Sequence, residues 1–242
     1  MSWWQRTTDK FQAALDLILP PACVICRRPG MVFCQECQAK SILVTQPWCQ
    51  RCGRPSPHSV PECWHCSGML ANLRQVRATF LHVDPFSKAI HAYKYEGQFG
   101  LAPTLGDLMT MNWPQWRTAP EIIVPVPLHA ARERERGYNQ AMLLARRLGK
   151  MLSLPIHPTS LKRIIHTRPQ VGLNASERRQ NVAGAFHADS RGIEGRHVLL
   201  VDDVFTTGAT LSAAGLALQE AGALSVSGFC LAMAAGNQQA LS

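Results

Sequence analysis

The stretch His197-Val198-Leu199-Leu200-Val201-Asp202-Asp203-Val204-Phe205-Thr206-Thr207-Gly208-Ala209-Thr210 decides how this chain is read. His197 to Val201 is an apolar run without alternation, the pattern of a strand buried on both faces of a parallel sheet. Such a strand delivers the residues after it to the carboxyl edge of the sheet, where ligands of open α/β folds bind. Here those residues are two acids, a short polar turn and then a helix over Leu211 to Ala221. Paired carboxylates at that edge can accept hydrogen bonds from the vicinal hydroxyls of a ribose. The Thr206 to Thr210 turn (Thr206, Thr207, Gly208, Ala209, Thr210) offers N–H groups, hydroxyls and a helix N-terminus to a phosphate. Each piece also has a plainer use, since aspartates cap helices and threonines are common in turns; the combination is what points to a site.

Outward from this stretch the chain alternates strand-like and helix-like segments. Arg77 to Val83 reads as a strand, Pro85 to Met111 as one or two helices interrupted near Gly97, and Glu121 to Val126 as a short strand. Asn139 to Leu152 reads as an amphipathic helix and Ala223 to Ala232 as a further strand. Strands separated by helices imply an α/β fold with a parallel sheet covered on both faces. The lone Cys230, within Phe229-Cys230-Leu231, reads as a small core residue.

The segment before this has another texture. From Cys23 to about Gly68 the chain is rich in Pro, Gly and polar residues and too poor in apolar ones to hold itself together. Eight of the nine cysteines lie there as four C-x-x-C pairs, Cys23/Cys26, Cys34/Cys37, Cys49/Cys52 and Cys63/Cys66. That spacing aims two thiolates at one tetrahedral zinc, and two zinc ions would use all eight and supply the missing folding energy. Disulfides and an iron–sulfur cluster are the competing uses. Four-thiolate sites leave no open coordination position, so the metal is structural; which pairs share an ion is left open. His58 and His65 are expected to be bystanders. Before the cysteines, Trp3 to Leu19 reads as a short amphipathic helix ended by Pro20-Pro21. The expected organisation is thus an N-terminal helix over 1–20, a double zinc-ribbon domain over 21–69 and an α/β domain over 70–242.

The formal charge of +9 suits an acidic partner such as nucleic acid or a polyphosphate ligand. Two tetrathiolate zinc sites would lower it to about +5. Arg27, Arg28, Arg51 and Arg54 with Trp48 and Trp64 would suit stacking and phosphate contact, or equally be solvated arginines and packed tryptophans. No apolar run approaches a membrane span, and the N-terminus lacks the order of a signal peptide, so a cytoplasmic protein is expected.

A second cluster sharpens the picture. Val124-Pro125-Val126-Pro127-Leu128-His129 is followed by Arg132, Arg136 and Gly137-Tyr138-Asn139-Gln140, and later by Gln170, Leu173, Arg178, Asn181 and Phe186. The acid pair with its T-x-G-x-T turn resembles the phosphoribosyl-pyrophosphate (PRPP) motif of type I phosphoribosyltransferases. With the four C-x-x-C pairs, P-V-P-L and R-G-Y-N-Q in order, the chain from Cys23 to Ala232 resembles the competence protein F (ComF) family, which includes the GntX-type proteins.

This resemblance implies that Asp202 and Asp203 hold the ribose hydroxyls and Thr206 to Thr210 the 5′-phosphate of PRPP, with Mg²⁺ arriving on the ligand. The strand end from Pro125 to Leu128, with Pro127 and Leu128 at the ligand, would correspond to the loop that receives pyrophosphate, and Arg132 and Arg136 would neutralise it. The segment from Arg168 to Arg179 would be the loop that closes over a substrate. The implied role is DNA uptake in natural transformation or use of imported DNA, beside single-stranded DNA, a helicase-like ATPase or other DNA-processing proteins. Two classes of function follow: a magnesium-dependent phosphoribosyltransferase of unnamed acceptor, or a non-catalytic DNA- or helicase-binding scaffold that keeps a PRPP- or nucleotide-sensing site.

Overall fold

A four-stranded parallel sheet organises the molecule, whose computed structural model describes residues 20–165 and 175–235. The N-terminal helix expected over Trp3 to Leu19 lies outside the described residues. The strands are β1 (Val76–Leu81), β2 (Ile122–Pro125), β5 (His197–Phe205) and β6 (Ser225–Met233), in the order β1-β6-β5-β2. β3 (Leu161–Arg163) and β4 (Phe186–Ala188) form a separate antiparallel pair. The helices are α1 (Gln35–Ala39), α2 (Phe86–Tyr95), α3 (Ala102–Met111), α4 (Ala130–Arg136), α5 (Gln140–Leu152), α6 (Ala175–Val182) and α7 (Ala209–Glu220). Among the described residues no helix is long and apolar enough to cross a membrane.

The period of two in a strand sorts the central residues between two cores. Leu199 and Val201 of β5, with Phe229 and Leu231 of β6, pack with Phe86 and Ile90 of α2, Leu105 of α3, and Leu144 and Leu148 of α5. Val198 and Leu200 face the other way, joining Cys230 and the Leu211, Ala214 and Leu218 stripe of α7. Burial on both faces explains the unbroken apolar run in β5, and Cys230, fully buried, is the core residue its setting implied.

β5 runs further than the sequence pattern indicates. The strand continues through both acids to Phe205, because β6 pairs alongside it from His197↔Ser225 to Phe205↔Met233. The acids are therefore held by a ladder rather than by a loop. The chain then bends at Thr206 to Gly208 and enters α7. Gly208 has φ +82°, and a Cβ there would stand 2.6 Å from Leu70 Cδ2 and 2.9 Å from Phe205 Cε2, so this turn admits glycine alone.

The cysteine module is built onto the sheet. Ile42 to Val44 runs antiparallel along the outer edge of β1, with Val44 N–H donating to Thr79 O at 2.9 Å and Leu81 N–H to Ile42 O at 2.8 Å. An otherwise open strand edge is thereby covered. Phe33 packs on Phe86 at 5.9 Å between ring centroids, and Phe86 stacks on Phe80 at 4.1 Å.

Candidate functional site

The cysteines gather in two groups, Cys23/Cys26/Cys34/Cys37 and Cys49/Cys52/Cys63/Cys66, each with its sulfurs within 4.8 Å of one another. Successive pairs thus share a site, which settles the pairing the sequence leaves open. Four sulfurs about 2.3 Å from a tetrahedral zinc stand about 3.8 Å apart. The separations Cys26–Cys34 at 3.6 Å, Cys49–Cys66 at 3.7 Å and Cys52–Cys63 at 3.6 Å match that edge. They are far too long for disulfides, at about 2.05 Å. Both four-cysteine groups fit a structural zinc, and neither includes His58 or His65.

The aromatic and basic residues of this module divide. Arg51 donates to Leu70 O at 2.7 Å and Arg54 to Ala234 O at 2.8 Å, so both point into the protein. Trp48 is half-buried, with the Arg77 guanidinium 5.2 Å from its ring centroid. Arg28 is exposed and paired with Glu36, and Arg27 is exposed. Trp64, stacked on His65 at 3.5 Å, is 76% exposed.

The second centre lies at the carboxyl end of β5. A cavity of about 640 Å³, within the range of small-molecule sites, is lined by Asp202 and Asp203, by Thr206 and Thr210, and by Pro127, Leu128, Arg132 and Arg136. These segments are distant in sequence and meet because β2 and β5 are parallel neighbours, Pro125 pairing with Val201, so both strands end at the same edge. Of the threonine turn, Thr207, Gly208 and Ala209 are not among the lining residues; Thr207 Oγ1 instead accepts from Ala209 N–H at 3.4 Å.

The acid pair is tightly organised. Asp203 is buried and donates its N–H to Asp202 Oδ1 at 2.8 Å, while Asp203 Oδ1 receives Lys94 Nζ at 2.8 Å. Burial, followed by the charge of Asp203, pushes the Asp202 carboxyl up to about 7, with Lys94 and Arg163 pulling the other way. Burial lowers the Lys94 ammonium, but the Asp203 carboxylate outweighs it and the net direction is up. Lys94 thus stays charged, with its ammonium against Asp203 Oδ1.

The R-G-Y-N-Q run proves to be largely scaffolding for this cavity. Gly137, at φ +82°, ends α4, and Asn139 Oδ1 caps α5 by accepting from Met142 N–H at 3.3 Å. Asn139 Nδ2 also donates to Val126 O at 3.1 Å, fixing the loop after β2. Tyr138 donates its hydroxyl to Tyr93 O, and Tyr93 donates its own to Gln140 O at 3.0 Å. Arg136 donates to Gln140 Oε1 at 2.7 Å and lies 5.0 Å over the Tyr95 ring. It is therefore held in place as well as lining the cavity.

The sequence reading missed Lys94, His82 and Arg163, which line the same cavity. A signal existed for two of them. His82 directly follows β1, at the carboxyl edge where ligands bind, and Lys94 lies one turn beyond Ile90 on a buried helix stripe, an unusual place for a lysine. Arg163 ends β3, a strand too short to be read from its pattern. Of the segment from Arg168 to Arg179, residues 168–174, with Gln170 and Leu173, lie outside the described residues; α6 begins at Ala175.

Comparison with known proteins agrees with both halves of this description. Residues 14–67 match the double zinc ribbon domain family and residues 135–241 the phosphoribosyl transferase domain family. Competence protein ComFC of Bacillus subtilis is 31% identical over 84% of this chain and 85% of its own. DNA utilization protein YhgH of Escherichia coli K12 is 30% identical over 89% of this chain and 98% of its own. A solved adenine phosphoribosyltransferase of Leishmania donovani is 16% identical over 60% of this chain and 68% of its own, with a TM-score of 0.35 that adds no weight to the sheet order. Competence protein F of Haemophilus influenzae is 33% identical over 78% of this chain and 85% of its own; with the zinc ribbons and the parallel sheet in place, the chain belongs to the competence protein F family.

Proposed function

We propose that the cavity binds PRPP with Mg²⁺ and that the protein acts through this site in DNA uptake or in the use of imported DNA. The observation that carries the reading is the meeting of Asp202, Asp203, Thr206, Thr210, Arg132 and Arg136 around one cavity at the carboxyl end of the sheet. Asp202 and Asp203 accept the ribose hydroxyls, the turn holds the 5′-phosphate, and Arg132 and Arg136 face the diphosphate. The Asp202 and Asp203 carboxylates, with the oxygens of a bound diphosphate, would suit a hard cation such as Mg²⁺, which when bound would neutralise diphosphate charge. In the catalytic form of this reading, an acceptor nucleophile bonds to the ribose anomeric carbon as the bond to diphosphate breaks and diphosphate leaves with the electron pair. The acceptor is unassigned.

The zinc module over 21–69, set against the α/β part over 70–242, carries the partner-facing side of the reading. The exposed Trp64–His65 stack suits a base of single-stranded DNA. A helicase-like ATPase is the alternative partner on this face. If PRPP only regulates such binding, the protein is a scaffold rather than an enzyme.

The in-cell test replaces the gene with an Asp202→Asn/Asp203→Asn version and measures growth on DNA or transformation. Loss of the phenotype at normal protein level is expected; a normal phenotype would show the cavity to be idle in that role.

A further inference from the structure

Building on the PRPP reading, we propose that Lys94 is itself a ligand-binding residue, holding Asp203 in the ligand-free protein and passing to the diphosphate of a bound ligand. Its ammonium lies 2.8 Å from Asp203 Oδ1, with only 19% of the lysine side chain and 12% of the aspartate side chain exposed. Both residues line the cavity. In this state one of the two Asp203 carboxylate oxygens open to ribose hydroxyls is already engaged by a cation. A ribose hydroxyl that takes Asp203 Oδ1 displaces Lys94, and a displaced ammonium at such depth needs another anion. The acids among the described lining residues are Asp202 and Asp203. The compensating charge therefore has to arrive with the ligand, and in PRPP it is the diphosphate that carries it beside the ribose.

The local structure restricts what can move. On one side of Lys94, the Tyr93 carbonyl accepts from Tyr138 Oη and from Gln140 Nε2, the latter at 3.4 Å, and the Tyr93 ring is fully buried. On the other, Tyr95 lies under the Arg136 guanidinium. The backbone of Lys94 is pinned at both neighbours, so the exchange is confined to a flexible four-carbon stem carrying a point charge, a geometry suited to swapping one anion for another. Arg136, on the same wall, is braced by Gln140 and Tyr95 and keeps its place.

The alternative is that Lys94 only neutralises a buried acid, and two ligands separate the roles. The full-length protein and its Lys94→Met and Lys94→Gln variants are titrated by calorimetry, in Mg²⁺, with PRPP and with ribose 5-phosphate, which lacks the diphosphate. Lys94→Gln leaves an N–H donor for Asp203 and so guards against a failure to fold. Both variants are expected to bind PRPP about 10- to 100-fold more weakly, the loss of one charged hydrogen bond. Ribose 5-phosphate should bind Lys94→Met no more weakly than the wild type, because Asp203 is freed, and Lys94→Gln at about the wild-type level, because its amide still donates to Asp203. Equal losses for both ligands, or unchanged PRPP affinity, would overturn the proposal while leaving the PRPP reading intact. Failure of the wild-type protein to bind either ligand would remove the PRPP reading itself, and is seen before any variant is made.

Discussion

Asp202 lies where ligand chemistry and fold stability oppose each other. Its carboxyl is raised from the ordinary carboxylate range to about 7, first by burial and then by Asp203. Between the unfolded value and that raised one, the folded protein binds more protons than the unfolded chain. This residue's contribution to stability therefore falls as pH rises from about 4 to about 7 and levels off above. Asp202→Asn removes the titration, so its melting temperature relative to the wild type should improve on going from about pH 5 to about pH 8. With Lys94 pulling the other way, an effect of about 1 kcal/mol, or roughly 2–4 °C, is the expected size. A difference between variant and wild type that is independent of pH would contradict this account of the acid pair. The two acids and the glycine of the turn are legible in the sequence, because each residue type is needed at its place. Lys94 shows in the sequence only as a lysine on an apolar helix stripe; its pairing with Asp203 depends on a helix packing back against a strand more than a hundred residues later.

At the scale of elements, β5, α7, α5 and the break between α2 and α3 follow from apolar periodicity, and their limits differ from the sequence reading by a few residues. The largest difference, the extension of β5 through Asp202 to Phe205, arises from pairing with β6, a long-range contact that no local pattern contains. β3 and β4, three residues each, and α4, with no buried residue, offer too little periodicity to read. The second zinc centre shows how an element can depend on one charge. Arg77 of β1 is 4% exposed, donates to Val76 O at 2.7 Å and Gln50 O at 3.1 Å, and has no carboxylate partner among the described residues. Burial and the charge of Arg117 lower its pKa, and Cys52 and Cys49 act to raise it again. A tetrathiolate zinc carries about −2, and Arg77 supplies the nearby counter-charge from inside the sheet. Arg77→Met should speed the release of one of the two zinc ions to a chelator by about tenfold, roughly the worth of one partly buried charge contact. Release of both ions at wild-type rates would contradict this role.

Taken as one molecule, the chain joins a metal-held module to a parallel sheet through a shared core and a covered strand edge. Val44, Cys49, Cys52 and Cys66 belong to the same apolar cluster as Val76, Leu200 and Leu211. Metal analysis should find about two zinc ions per chain, and chelation should lower the melting temperature of the α/β part together with that of the module. Unchanged melting of the α/β part without zinc would show the two to be energetically separate. The architecture was legible because cysteine spacing and strand–helix alternation are local signals; the docking of one part on the other was not, since it rests on dispersed contacts such as Phe33 with Phe86 and Arg54 with Ala234. On the proposed reading, the cavity at the end of β5 is a PRPP site built on its acid pair. Calorimetric titration of the purified protein with PRPP and Mg²⁺, beside the Asp202→Asn/Asp203→Asn variant, tests it most directly. Saturable binding by the wild type that is lost in a folded, zinc-loaded variant is the predicted result; equal binding by both proteins, or none by the wild type at millimolar ligand, would contradict it.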